Sequence, residues 1–155
     1  MHSLSTFSTA ALLAALAALA SAPAKAQIDE GPCSNRTLHG SYGFAIEGTI
    51  FAIPGVPALP APLPLRAVAV TTFDGKGGLT QVDHYVVGGT PPQTPWQSSS
   101  GTYSVNPNCT GTLVLNVPGN PLSPFRLAFV IVKQGQEIRT VVDANLVSSV
   151  GIRIE

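Results

Sequence analysis

The sequence has little charge. Lys, Arg, Asp and Glu make up 10% of its 155 residues, and eight basic residues balance eight acidic ones. Soluble domains carry about 25% charged residues on average. Because the basic residues form no stripe that would neutralise phosphates, we expect neither nucleic acid nor an anionic membrane surface as a partner. The surplus of apolar residues is expected to line a pocket or to be covered in a homo-oligomer, and composition leaves both open.

Histidine is scarce, and the motifs of several enzyme classes are missing. Beyond the N-terminal segment only His39 and His84 occur, far apart and without HxH or HExxH spacing. No Gly-x-Ser-x-Gly elbow is found, and no glycine-rich stretch opens a helix. The sequence therefore predicts no metal site and no cofactor. It leaves enzymatic activity undecided, with a non-catalytic role favoured.

The chain has two cysteines, Cys33 and Cys109. A metal pair or a reactive thiol would need further His or Cys ligands at short spacing, and none are present. In an exported chain, two cysteines pair by default. We therefore predict a disulfide that closes a loop of about 76 residues, which stabilises the fold by on the order of 4 kcal/mol in the chain-entropy model.

A long apolar run occurs near the N-terminus, at residues 10–20. It ends before Pro23 and the small-residue site Ala24-Lys25-Ala26, so it is shorter than the roughly 20 residues that a membrane span needs. This pattern is typical of a cleavable signal peptide. We predict a signal peptide at 1–26, one domain at 27–155, no stable membrane span, and a secreted protein (extracellular, or periplasmic if the source is Gram-negative).

The rest of the chain shows no sustained helical periodicity. Short runs rich in Val, Ile, Thr, Phe and Tyr recur between Gly, Pro and Asn clusters, which predicts an all-β domain. The predicted strands are 40–50, 65–73, 79–87, 101–106, 111–117, 125–133, 136–143 and 146–154.

The connections between these strands favour antiparallel neighbours, because most are too short for the crossover that parallel pairing requires. Turn formers at 74–78 and 106–111 are typical of hairpins. We therefore predict a single antiparallel, eight-stranded, up-and-down barrel of calycin-like type. A β-sandwich is the alternative, with the long segments near 54–64 and 88–100 as its crossovers.

Those two long segments are rich in proline and apolar residues. The first is expected to run extended and to pack over one barrel end, or to act as a lid or docking face, with Leu59 and Leu63 as candidate ligand contacts. The second carries the only tryptophan, Trp96, which is expected to plug the core or, less often, to serve as a ligand platform.

Three stretches carry a resemblance to a known group: Ser41-Tyr-Gly-Phe44, Phe73-Asp-Gly-Lys-Gly-Gly78 and Gly101-Thr-Tyr-Ser-Val-Asn-Pro-Asn-Cys-Thr-Gly-Thr112. The chain resembles small secreted microbial proteins, mostly uncharacterised, of the allene-oxide-cyclase-like, calycin-type barrel group. The resemblance spans roughly 33–154 and implies an eight-stranded barrel. It implies no catalytic residues, and the proline-rich insert at 54–64 departs from the pattern.

Candidate chemistry depends on which residues face the barrel interior. Strand alternation places Phe44 on the face opposite Glu47, and it separates Asp83 and Tyr85 from His84. Glu47, Asp83, His84 and Tyr85 are the catalytic candidates, because an ionisable group inside an apolar barrel acquires a pKa useful for acid-base work. The alternative is that they are solvated strand positions. Phe44 is a candidate ligand contact.

Three functions remain open at this point. The first is binding of a small apolar molecule, which predicts an interior cavity of roughly 300 Å³ or more. The second is a cofactor-free cyclase or isomerase, which requires at least one of the four candidates to line that cavity. The third is a non-catalytic structural or interaction protein with a solid barrel.

Overall fold

The computed structural model describes residues 33–53, 55 and 57–154 and shows an all-β chain. The predicted signal peptide at 1–26 lies outside the described residues. The eight strands are β1 (His39–Ile50), β2 (Leu63–Asp74), β3 (Gly78–Val87), β4 (Gln97–Val105), β5 (Thr110–Asn116), β6 (Phe125–Val132), β7 (Glu137–Val142) and β8 (Leu146–Arg153). Two 3₁₀ helices, Asn35–Thr37 and Lys133–Gly135, complete the elements. Neither of these two short helices of the described part is long enough to cross a membrane.

The strands form one closed barrel in chain order. Every strand pairs antiparallel with the next, and β1 pairs with β8 to close the sheet. The up-and-down barrel is confirmed, and the β-sandwich alternative is not observed. Closure gives every strand a hydrogen-bonded neighbour on both sides, although β4 pairs only with the first part of β3, from Gly78 to Asp83.

Strand alternation decides which residues fill the barrel. In β3, Leu79 and Asp83 are buried on the inner face, whereas Thr80 and Val82 on the other face are exposed. The inner face of β3 therefore carries Gln81, Asp83 and Tyr85, and His84 points outward. This settles the choice between the two faces that the sequence leaves open.

One half of the barrel is packed solid. Phe73 makes edge-on ring contacts with Tyr42 and Tyr103 at centroid distances of 5.4 Å and 5.0 Å. The Tyr103 hydroxyl donates to the carbonyl oxygen of Leu38 at 2.9 Å. Phe129 is 4% exposed in the same cluster. We call this half, which includes the N-terminal 3₁₀ helix, the closed end.

The predicted disulfide is confirmed and lies at the closed end. Cys33 bonds to Cys109 with a Cα–Cα distance of 5.0 Å across 76 residues of sequence. It ties the segment before β1 to the turn between β4 and β5. The Cys33 N–H also donates to the Pro107 carbonyl oxygen at 3.2 Å. These contacts hold the segment before β1 against the barrel.

Two details differ from the sequence prediction. β4 begins at Gln97 rather than at 101, so Ser98–Ser100 belong to the strand and not to a loop. A run of serines carries no apolar alternation, so the pattern does not reveal that strand's start. Strand alternation from the inward Ile138 and Thr140 predicts Glu137 on the outer, solvent-facing side of β7. Glu137 is nevertheless 4% exposed, because Lys133 and Arg139 pair with its carboxylate at 2.5 Å and 2.8 Å.

Candidate functional site: a cavity at the open end of the barrel

The barrel interior is hollow at the end opposite the disulfide, which we call the open end. The cavity volume is about 150 Å³. Its lining comprises Phe44, Ile46, Ile50, Leu65, Ala67, Thr71, Gln81, Asp83, Tyr85, Val87, Leu113, Leu115, Val117, Asn120, Leu122, Phe125, Leu127, Thr140, Val142, Ala144, Asn145, Val147, Ser148 and Ser149. The predicted volume of roughly 300 Å³ is thus wrong by about half, since large side chains fill the closed end.

Most of the lining is apolar. The side chains that extend into the cavity include Phe44 of β1 and Phe125 and Leu127 of β6. Further along β6, Phe129 and Ile131 belong to the closed end. Strand position explains the division, because β6 starts at the open end and finishes at the closed end. The barrel is therefore neither fully solid nor fully hollow.

A polar row crosses one wall of the cavity. The Thr71 hydroxyl donates to Gln81 Oε1 at 2.8 Å, and Gln81 Nε2 donates to Asp83 Oδ1 at 3.2 Å. The register explains the row, since Thr71 and Gln81 are direct partners across β2 and β3. Tyr85 continues the same inner face, and its hydroxyl accepts a long hydrogen bond from Gln97 Nε2 at 3.5 Å.

The facing wall carries a second polar pair. Thr140 of β7 and Ser149 of β8 are register partners, and their hydroxyl oxygens lie 2.7 Å apart in a buried hydrogen bond. One of these hydroxyls donates to the other, which lowers the polarity that the pair presents to the cavity. Asp83 and Tyr85, the titratable side chains of the described lining, lie on the other wall.

Asp83 is a buried carboxyl in a mainly apolar site. It is 8% exposed. Desolvation raises its pKa above the ordinary value, and the hydrogen bond from Gln81 and the charge of His84 only partly oppose this. Among the described lining residues none is Lys, Arg or His. The carboxyl therefore has no cationic partner inside the cavity.

The four catalytic candidates divide between the two faces of the sheet. Asp83 and Tyr85 line the cavity together. Glu47 points outward and pairs with Arg66 at 3.6 Å, both side chains being 68% exposed. His84 is also outward, with its Nδ1 against the Pro95 carbonyl oxygen and its ring 5.9 Å from the Trp96 ring. The cyclase hypothesis requires at least one of the four candidates to line the cavity, and Asp83 and Tyr85 do so.

The ligand and lid candidates also divide. Phe44 lines the cavity, whereas Leu59, Leu63 and Trp96 do not. Leu59 and Leu63 are half-buried, and Trp96 is 55% exposed. The expectation that Trp96 plugs the core is wrong, because its ring packs on the outer surface near His84.

The mouth of the cavity is built from residues that sequence reasoning missed. Val117 and Leu122 come from the connection between β5 and β6, and Ala144 and Asn145 come from the turn between β7 and β8. Asn145 Oδ1 accepts hydrogen bonds from the N–H groups of Phe51 and Ala52 at 2.7 Å and 3.1 Å. An Asn between the predicted strands 136–143 and 146–154 was the one available signal, and it indicated only a turn.

A shallow groove adjoins the mouth. It has a volume of about 390 Å³ and shares Leu122, Phe125 and Asn145 with the cavity lining. Ala52 and Ile53, which open the proline-rich segment, form its other side. Pro54 and Val56 within that segment lie outside the described residues. A ligand longer than the cavity would continue into this groove.

No three His, Cys, Asp or Glu side chains of the described part lie close enough together to hold a metal ion. Comparison of the chain with models of protein families, with curated proteins and with solved structures finds no match. The function has to be inferred from the barrel and its cavity.

Proposed function

We propose that this protein binds one small, mainly apolar molecule inside its barrel. The observation that carries the proposal is the cavity of about 150 Å³, lined largely by aliphatic and phenyl side chains, at one end of an otherwise solid barrel. Protein interiors are close-packed, so a hollow of this size is costly to maintain without a use.

The cavity volume limits the ligand. A cavity of about 150 Å³ with aliphatic and aromatic walls holds one benzene molecule in a well-studied engineered protein. The part of the ligand that lies inside the barrel is therefore a single ring or a short chain. Any larger part extends through the mouth into the adjoining groove.

Acid-base chemistry on such a ligand is the extension of this proposal toward an enzyme. Asp83 and Tyr85 are the titratable side chains among the described lining residues. Binding requires only the cavity, whereas cyclisation or isomerisation also requires Asp83 to exchange a proton with the substrate. Binding is accordingly the function we propose, and export to an oxidising compartment accompanies it, supported by the disulfide.

The proposal is tested with a pair of variants. Ala67→Leu adds bulk to the cavity lining, whereas Ala128→Leu adds the same bulk on the exposed outer face of β6. Native mass spectrometry of protein purified from its own host, beside a denaturing spectrum, should show a mass excess that denaturation removes. We expect that excess in the parent and in A128L but not in A67L. A mass excess retained by A67L would place the ligand elsewhere.

A second function is favoured by the outer surface. Val68, Val70, Val82, Val150 and Ile152 are exposed at 51%, 36%, 41%, 40% and 58%. The register brings them together across β3, β2, β1 and β8 around Gly43 and Ala45. An open depression of about 560 Å³ lies in this face. The depression is also lined by Glu47, Arg66 and His84. Exposed apolar area of this kind is often covered in homo-oligomers, so a second copy is the occupant that we propose.

Sedimentation at micromolar concentration tests this second function. Val68→Glu places a charge in the apolar face and should dissociate a dimer, whereas Thr112→Glu on the exposed face of β5 should not. A parent protein that sediments as a monomer would end the self-association hypothesis and leave the cavity proposal untouched.

A further inference from the structure

Asp83 is the only acidic side chain that the described residues contribute to the cavity lining, and no basic side chain accompanies it. Its Oδ1 accepts one hydrogen bond, from Gln81. A buried carboxylate without a counter-charge is costly, because the cavity does not replace the water that solvates the charge. A ligand that carries a positive charge would remove that cost.

We propose that the ligand is a small apolar amine, an inference that rests on the proposed function. Its ammonium group pairs with the Asp83 carboxylate, and its ring or chain fills the apolar part of the cavity. No covalent step is involved.

The polar row offers an ammonium more than one acceptor. Gln81 Oε1 accepts from Thr71 and keeps a second lone pair, as an amide oxygen does. Among the described residues, the Tyr85 hydroxyl has only the long hydrogen bond from Gln97. An ammonium has three N–H donors, and this wall offers three acceptors: the Asp83 carboxylate, Gln81 Oε1 and the Tyr85 hydroxyl.

The same wall discriminates against other ligands. An apolar acid of equal size would bring a second carboxylate beside Asp83, and like charges in one site disfavour each other. A neutral molecule fits the apolar part but leaves Asp83 without a counter-charge. The expected order of affinity is amine, then neutral molecule, then acid.

The groups around Asp83 determine how binding depends on pH. On its own strand the inward neighbours are Gln81 and Tyr85. Ala69 faces it from β2, and Gln97 faces it from β4. Tyr85 is the titratable one among these four, and His84 lies on the opposite face. Because desolvation raises the pKa of Asp83, protonation should remove the negative charge and weaken amine binding as pH falls, starting at a higher pH than for an ordinary aspartate.

The test is a titration of the full, disulfide-bonded protein followed by ¹H–¹⁵N NMR. The probes are benzylamine, benzyl alcohol and benzoate, which share a ring and differ in charge. Near neutral pH we expect benzylamine to bind about tenfold or more tighter than benzyl alcohol, the gain expected of a hydrogen bond to a charged group. Benzoate should not bind.

Two variants with the same change of charge separate the cavity from the surface. Asp83→Asn should lower benzylamine affinity to that of benzyl alcohol, whereas Glu47→Gln on the outer face should leave it unchanged. Equal affinities of benzylamine and benzyl alcohol in the parent would overturn the amine inference and leave the cavity function standing. Absence of saturable binding by all three probes would overturn both.

The pH dependence of benzylamine binding to the parent protein is a further test, and it does not require any variant to fold. Benzylamine affinity should fall on acidification while benzyl alcohol affinity stays constant. A benzylamine affinity that does not change while the Asp83 carboxyl becomes protonated would contradict the role of Asp83.

Discussion

At the residue scale, Asp83 determines both the chemistry of the cavity and a cost in stability. A carboxyl whose pKa is raised in the folded state binds its proton more tightly there than in the unfolded chain. Its contribution to stability is therefore most favourable in acid and is lost as pH rises through the folded pKa. At neutral pH the protein without a bound ligand is therefore less stable by this contribution of Asp83.

Asp83→Asn removes the cost without changing the side chain's shape. We expect the variant to unfold at a higher denaturant concentration than the parent near neutral pH, and the difference to shrink in acid, where both side chains are neutral. Denaturant unfolding as a function of pH measures this. Glu47→Gln should change little at any pH, because its ion pair is exposed. A D83N variant that is less stable than the parent at neutral pH would contradict the buried, unpaired carboxyl.

Gly151 leaves the space that the Phe44 ring occupies. A Cβ at Gly151 would collide with three carbons of that ring, whereas a Cβ at Gly43 would meet Ile154 at an ordinary 3.5 Å. Gly151→Ala should push the ring toward the cavity, weaken binding of benzyl alcohol, and destabilise the fold by about 1–3 kcal/mol. Gly43→Ala is the control, with both properties nearly unchanged. Thermal unfolding and the NMR titration check the pair.

The inner position of Asp83 was predictable only as one of two alternatives. Strand alternation groups Asp83 with Gln81 and Tyr85, but both faces of β3 mix polar and apolar residues. Packing against β2 and β4, which the sequence does not display, decides which face turns inward. The exposed position of Trp96 was unpredictable for the same reason.

At the element scale, the strand pattern was readable from the sequence because each strand carries β-branched or aromatic residues between turn formers. Six strands lie within one residue of their predicted bounds: β1, β3, β5, β6, β7 and β8. β4 departs most, since Ser98–Ser100 extend it where the composition indicated a loop. The connections at the open end were the least predictable, because their positions depend on side-chain hydrogen bonds between distant turns.

Asn145 is the clearest of these hydrogen bonds. Its backbone is left-handed, with φ of 66°, and its side chain holds the N–H groups of Phe51 and Ala52. Asn145→Gly keeps the backbone conformation accessible and removes the side chain. We expect faster amide hydrogen exchange at Phe51 and Ala52 with unchanged exchange in the strands. Asn108→Gly, in a turn at the closed end, should leave both amides protected, and unaltered exchange in N145G would refute the anchoring role.

At the scale of the whole molecule, the barrel separates stability from binding. The disulfide and the aromatic cluster of Tyr42, Phe73 and Tyr103 lie at the closed end, and the cavity lies at the open end. The closed barrel and the disulfide were both predictable from the sequence. The cavity volume was not, because it depends on how large side chains interlock across eight strands.

This separation makes a prediction for the disulfide. Replacing Cys33 and Cys109 with Ser should lower the free energy of unfolding by on the order of 4 kcal/mol, as for a loop of this length. Benzyl alcohol affinity should be unchanged under conditions where the variant is folded, since neither cysteine lines the cavity. Denaturant unfolding and the NMR titration measure the two quantities. A variant that stays folded but loses binding would show that the closed end shapes the cavity.

The most direct test of the central claim, an apolar binding cavity in the open half of the barrel, is an NMR titration of the disulfide-bonded protein with toluene. We predict saturable shifts centred on the lining residues Phe44, Leu113, Phe125 and Val147, retained in A128L and strongly reduced in A67L. Absence of saturable shifts up to the solubility of toluene, or equal shifts in both variants, would contradict the claim.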